Sequence, residues 1–269
     1  MLPGFGLTLG ITLVYLAIIV FLPIAAMLMK TASMGFADFW RIVSSERALA
    51  TFRITIQSAF FATVIDALFG LLLAWVLVRY EFPGKRFLDA VVDLPFALPT
   101  AVAGLALTTL FARNGWIGHW LEPLGLKVAY APPGIAIAMA FTSIPFVVRT
   151  VQPVLEDMDR QLEEAAQSLG ANSWQIFRLV IWPTIMPSFL AGCALSFARS
   201  IGEFGAVVFI AGNLPMKTEI TSLLIVIRLD EYDYAGAAAL ATVLLLAAFL
   251  MLFITNSLQI WQTRYVGAR

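Results

Sequence analysis

The chain has one cysteine and one histidine in 269 residues. Cys193 has no partner for an internal disulfide and belongs to no cysteine metal cluster. It lies in an apolar run, where a small packing residue is the plain reading. His119 stands in a short polar loop between Trp116 and Trp120, with no second histidine or cysteine near it to complete a metal site. Charge is also scarce. Charged residues make up 13% of the chain, about half of the ~25% usual for soluble domains. The net charge of +0 gives no basic bias toward nucleic acid. There is no P-loop either: Gly84-Lys85 comes nearest, but Arg79 stands where the first glycine is needed and Arg86 where Ser or Thr belongs. The chain therefore has no recognisable means of hydrolysing ATP.

What fills the sequence instead is apolar. Hydrophobic residues are 61% of the chain and mean hydropathy is +0.89. An excess this large cannot all be buried in one soluble core, so lipid is the solvent. A helix crosses a bilayer with about 20 apolar residues. Runs of that kind lie near Leu7–Met29, Ile54–Val78, Leu94–Phe111, Gly134–Val154, Thr184–Ala211 and Ala235–Ile260. The expectation is an all-α integral membrane protein of about six transmembrane helices, because open strands leave their backbone groups unsatisfied in lipid. No soluble domain separates from the spans, so residues 1–269 read as one transmembrane domain. The leader Met1–Gly6 lacks Lys and Arg, and the first apolar run exceeds a signal peptide's core of about 7–15 residues. It reads as a retained span.

Orientation follows from loop Lys and Arg, and here the two sides tie. One side holds Arg79, Lys85, Arg86, Arg149, Arg160, Arg178, Arg264 and Arg269. The other holds Lys30, Arg41, Arg47, Arg53, Arg113, Lys127, Lys217 and Arg228. The tight cluster Arg79–Arg86 directly after a span favours termini inside, and a basic outer face suits an anion-handling protein.

One polar segment, about 156–183, interrupts the greasy pattern between the fourth and fifth runs. Pro153 helps end the preceding span. Asp159 is a candidate N-cap for a helix from Arg160. Leu162, Ala165, Ala166 and Leu169 recur at i, i+3, i+4 and i+7, forming one apolar stripe, with Glu163, Glu164 and Gln167 mostly outside it. Gly170 suits the left-handed residue that closes a helix. Ser173 is then a candidate cap for a second helix carrying Trp174, Phe177 and Ile181. Physically this is a helix–turn–helix at the membrane surface. It either stabilises the bundle as an interfacial hairpin or docks a cytoplasmic motor.

The spacing Glu164-Ala165-Ala166, three residues, Gly170, nine residues, Val180-x-Trp182-Pro183 resembles the EAA loop of ABC importer permeases. That family ends the motif in Ile-x-Leu-Pro, so Val180 and Trp182 are apolar departures. Three further stretches extend the likeness over essentially the whole chain: Asp93-Leu94-Pro95-Phe96-Ala97-Leu98-Pro99-Thr100, Phe141 through Thr150, and Ser200-Ile201-Gly202-Glu203-Phe204-Gly205-Ala206. Together they are similar to the CysT family of sulfate/thiosulfate permease subunits, to which molybdate permeases are closely related. The resemblance implies a type I ABC importer permease fold in the bacterial cytoplasmic (inner) membrane, with termini and EAA loop in the cytoplasm. It also implies partners: a dimer of ATPase subunits that bind ATP and Mg, a second permease (a CysW-like paralogue or a second copy), and a periplasmic sulfate/thiosulfate-binding protein. Carried over, Glu163, Glu164, Ala165, Ala166, Gly170 and Pro183 are the ATPase-coupling residues, and no cofactor is bound by this chain.

Charges inside the bilayer cost about 2.5–3.5 kcal/mol on insertion scales, so each needs a partner or a wet cavity. Asp66, Arg199 and Glu203 stand out. Arg199 and Glu203 are placed to pair at i, i+4; Arg199 with Asp66 is the rival. Either the pair braces the bundle or its face lines the anion route. Sulfate without its water needs donors such as hydroxyls and guanidinium. Candidate pathway residues are therefore Ser196, Arg199, Ser200 and Glu203, with Thr142 and Ser143 before Pro145 and Thr100 after Pro99. Two other functions compete with this one. A gradient-driven secondary anion transporter needs midplane carboxylates and repeats, and no repeat is evident. A membrane enzyme needs a nucleophile–base set or metal triad, which one His and one Cys on different segments do not supply.

Overall fold

Small residues decide how the core is made. The 34-residue helix Glu46–Arg79 buries Ala59, Ala62, Asp66, Gly70 and Ala74 along one stripe and turns Phe60, Phe61, Leu68 and Leu72 outward. That is the pattern of a membrane helix, in which small residues admit neighbouring backbones and large apolar ones face lipid. The computed structural model describes residues 5–266; Arg269 and most of the leader Met1–Gly6 lie outside the described residues, as does the side chain of Arg264.

The elements in chain order are α1 Phe5–Ala32, α2 Phe36–Val43, α3 Glu46–Arg79, α4 Lys85–Val92, α5 Thr100–Phe111, α6 Pro132–Glu156, α7 Arg160–Ser168, α8 Ser173–Ile201, α9 Thr221–Asp230 and α10 Tyr234–Val266. No strand occurs among the described residues. Five helices are long and apolar enough to cross a membrane: α1, α3, α6, α8 and α10. Helices α3, α6 and α8 pack on one another as the centre of the bundle, while α10 covers α8 and α9 and carries the second half of α1 on its outer side.

The expected third span is not one helix. Leu94–Ala97 forms a single turn, Leu98 is extended, and α5 starts only after Pro99. Pro99 accounts for this: it disfavours helical backbone at the residue before it and donates no N–H. The 12 residues of α5 reach about 18 Å, short of a hydrocarbon core of about 30 Å. The fifth span also departs from the expected Thr184–Ala211. It begins at Ser173, ends at Ile201, and a break at Gly202–Ala206 precedes a separate turn, Val207–Ile210.

Two close approaches fix the centre. Val147 of α6 is fully buried. A Cβ on Gly70 of α3 would lie 2.8 Å from the Val147 Cβ, and one on Gly192 of α8 would lie 2.8 Å from its Cα. Helices meet this tightly only where a side chain is missing. Pro145 and Pro153 lie inside α6, which runs on past the Thr142 and Ser143 hydroxyls without a break.

Candidate functional site

The polar segment is built from its caps outward. Asp159 accepts a hydrogen bond from the Gln161 amide at 2.9 Å and starts α7. Gly170 closes it with φ +85°, the left-handed conformation that costs glycine least. The cap of α8 is Asn172 rather than Ser173. The Asn172 side chain accepts from the Gln175 amide at 2.9 Å, and Gln175 accepts in return from the Asn172 amide at 2.8 Å. This reciprocal box satisfies two otherwise free donors and leaves Ser173 as the first helical residue.

The second arm of the hairpin is not a separate helix. It runs without interruption into the membrane as α8, 29 residues and about 44 Å long. A π-helical turn at Phe177–Ile181 lies directly before Pro183, where the missing proline N–H and its ring disturb the regular ladder. An aromatic cluster fastens this arm to α3: Trp75 meets Phe177 edge-on at 5.7 Å, and Phe177 lies 6.1 Å from Trp182. Arg79 sits over the Trp75 ring at 5.2 Å and forms an ion pair with Glu163, so α7 is tied to the end of α3.

The apolar stripe of α7 does not pack on the bundle. Leu162 is 55% exposed and Leu169 89%, and Trp174 at the start of α8 is 66% exposed. Glu164, Ala165 and Gly170 are exposed, as is Pro183, and Ala166 is half-buried. Glu163 is the expected coupling residue whose side chain forms an ion pair with a span, at Arg79.

A second knot stands on the same side. Arg149 of α6 donates to Asp89 Oδ1 at 2.6 Å, to the Asp89 carbonyl at 2.8 Å, to both Asp93 carboxylate oxygens at 2.8 and 2.7 Å, and to Gln152 at 2.7 Å. It thereby joins two of the stretches quoted above, the one opening at Asp93 and the one containing Arg149, by clamping α4 to α6. Nearby, a hydrogen bond from Lys85 holds the exposed Glu81 carboxyl below the usual range.

Deeper in the bundle, Asp66 is fully buried. Its Oδ2 accepts from Ser143 at 2.6 Å and Ser196 at 2.7 Å, and Ser200 lies 3.1 Å from Ser143. Oδ1 has no hydrogen-bond partner among the described residues. Hydroxyls from α6 and α8 therefore converge on one carboxylate of α3. The other expected pathway residues lie apart from this cluster. Thr142 bonds back to the Met139 carbonyl at 3.0 Å. Thr100 abuts Gly205, whose Cβ would stand 2.1 Å from the threonine oxygen. Arg199 reaches Glu203 at 2.6 Å, not Asp66. Because α8 ends at Ile201, that pair spans a helix end and not one helical face. Glu203 is buried, and its Oε1 accepts from the Ala206 amide at 2.9 Å, bracing the break that follows.

Sequence reasoning treated Arg79 and Arg149 only as loop charges and missed their anchoring roles. It also missed the bidentate pair of Arg47 with buried Glu219, at 2.9 and 2.6 Å. Their acids lie 84, 60 and 172 positions away in the chain, so no local spacing signals them.

The profile of the family described as binding-protein-dependent transport system inner membrane component matches residues 66–266. The sulfate transport system permease protein CysT of Escherichia coli (strain K12) is 54% identical over 258 residues, covering 96% of this chain and 93% of that protein. The CysT protein of a Synechocystis strain is 48% identical over 257 residues, covering 96% and 90%. Among solved structures, a bacterial ABC transporter involved in import of the acidic polysaccharide alginate superposes with TM-score 0.77 at 16% identity, covering 94% of this chain and 93% of that one. The MetNI methionine ABC transporter in an inward-facing conformation gives 0.60 at 18% identity, covering 85% and 99%. At these identities the structures bear on the fold alone.

Proposed function

The chain belongs to the binding-protein-dependent transport system inner membrane components, the multi-pass permease subunits of ABC importers, and from that premise we propose that its cargo is sulfate or thiosulfate. The identity to the CysT proteins over almost the full chain supports this cargo. Residues 1–269 act as one permease domain in the bacterial inner membrane, with the segment at about 156–183 and the termini in the cytoplasm. Its partners are an ATPase dimer, a second permease and a periplasmic anion-binding protein.

One observation carries the coupling role: the hairpin exposes its apolar stripe at Leu162 and Leu169, while its second arm is continuous with the helix that enters the membrane. An exposed apolar stripe on a charged surface element marks a docking face. Glu164, Ala165, Ala166 and Gly170 meet the ATPase, and Glu163 holds the hairpin to Arg79 so that the push is not dissipated. Pro183 sits at the π-turn where the arm joins the span. ATPase closure displaces α7, α8 tilts with it, and its packing on α3 and α6 carries the movement across the bilayer. Ser143 and Thr142 of α6 and Ser196, Arg199 and Ser200 of α8 lie on the segments that shift, with Glu203 after the end of α8 and Thr100 at the start of α5, and the pathway opens among them. In vesicles reconstituted with the ATPase and binding protein, replacing both Glu164 and Gly170 by lysine abolishes ATP-driven sulfate uptake. Uptake that survives this double replacement refutes the coupling role.

A further inference from the structure

The proposed cargo gives meaning to a cavity at the other end of α3. The cavity has a volume of about 700 Å³ and is lined by Arg53, Gln57 and Ser58 of α3, Pro133 of α6, and Met216 and Lys217 of the loop before α9. Arg53 lies about 39 Å along the helix axis from Arg79 at 1.5 Å per residue, which places it at the membrane face opposite the hairpin. Its walls run inward to Phe61 and Ile65 and are mostly apolar.

Its charge is unbalanced. Among the described residues no carboxylate lines the cavity. The neighbouring cation, Arg47, is already neutralised by Glu219 at 2.6 Å, whereas Arg53 and Lys217 form no ion pair among the described residues. Two uncompensated cations above low-dielectric walls focus a positive potential into the cavity. The loop bearing Lys217 is also held. The Leu214 carbonyl accepts from the amides of Lys217, Thr218 and Glu219 at 3.1, 3.0 and 3.1 Å, and Thr218 accepts from the Leu214 amide at 3.0 Å. Met216 has φ +64°, a left-handed conformation unusual for a long side chain. Such backbone persists where surrounding bonds over-determine it, and it concentrates at binding sites.

We propose that Arg53 and Lys217, with Gln57 and Ser58, form a receiving site for a tetrahedral oxyanion at the face away from the ATPase. The guanidinium and ammonium supply charge, and the amide and hydroxyl supply neutral donors. The apolar walls below offer no competing donors, so the anion is held at the mouth and not trapped in the interior. This rests on the cargo proposed above. The same chemistry fits free sulfate or the phosphate of a lipid headgroup.

The test uses the assembled transporter with its ATPase and binding protein in vesicles, with labelled sulfate as probe. Arg53→Gln together with Lys217→Gln raises the KM for sulfate at least tenfold, the loss of even one charge-assisted bond, and restoring the charge with Arg53→Lys recovers part of it. A rise in both phosphatidylcholine and phosphatidylglycerol vesicles identifies the free anion. A rise only with phosphatidylglycerol, with less phospholipid co-purifying, identifies the headgroup. An unchanged KM in both lipids overturns the site. Should the double variant fail to assemble, sulfate slows acylation of Lys217 in the native assembly, and absence of that protection equally overturns it. Native assembly that carries no sulfate refutes the cargo; native uptake with an unaffected double variant refutes this site alone.

Discussion

Asp66 separates two accounts of the bundle's interior, and Asp66→Asn against Asp66→Ala measures the difference. In the structure the carboxylate ties α3 to α6 and α8 through Ser143 and Ser196, and no cation lies among its partners. Asparagine keeps an acceptor oxygen at the Oδ2 position and places its amide where Oδ1 has no partner among the described residues. Weaker neutral hydrogen bonds lose about 1 kcal/mol each. Removing a buried charge regains about 2.5–3.5 kcal/mol on insertion scales, against about 1–3 kcal/mol for the amide left without a partner, so the asparagine variant stays within about 2 kcal/mol of the native chain. Alanine also removes the charge but abandons both bonds. Ser143 turns to the Met139 carbonyl, 2.6 Å away, while Ser196 is left without an acceptor, a loss of about 1–3 kcal/mol. The two lost bonds and the orphaned hydroxyl put alanine about 3 kcal/mol below asparagine. For a chain of this size that is roughly 6–12 °C in melting temperature, read by dye-monitored unfolding in nanodiscs. Equal destabilisation by Asn and Ala refutes the tie: the negative charge itself is then required, as a role on the transport route demands.

Three further outcomes follow from the same geometry. Glu163→Gln removes the ion pair with Arg79 and leaves the packing intact, so hydrogen exchange across 160–170 speeds about two- to fivefold while global stability changes by less than about 1 kcal/mol, given partial exposure and screening; unchanged exchange shows that the pair does not hold α7. Arg149→Ala frees Asp89 and Asp93 and detaches α4; exchange at 85–92 rises relative to α6, and equal protection in the variant and the native chain refutes the clamp. Gly192→Leu forces α8 away from α6, because even a Cβ there meets Thr150 at 2.3 Å and the Val147 Cα at 2.8 Å. Overpacking of this kind costs about 1–3 kcal/mol or more, and a melting temperature within 2 °C of native disproves the close approach.

Much of the hairpin was legible because its signals are local. Asp159, the stripe of Leu162 to Leu169 and the Gly170 turn lie within a dozen residues, and capping and periodicity act over that range. The cap shifted by one residue to Asn172 because a reciprocal bond with Gln175 outweighed the serine alternative. The five long spans were legible from apolar length. The third run misled because length was counted across Pro99, which divides it.

Composition and periodicity by themselves determined that this chain lives in lipid, crosses it several times and turns a charged helix pair into water, since hydropathy and helix geometry need no partners. Tertiary structure alone decided what the scattered charges do. Arg79, Arg149 and Arg47 find acids on distant segments, Arg199 takes Glu203 and leaves Asp66 to serines, and Arg53 and Lys217 meet at one cavity without an ion pair among the described residues. An ion pair is a matter of ångströms between side chains, and only the packing of α3, α6 and α8 brings residues scores of positions apart to that range.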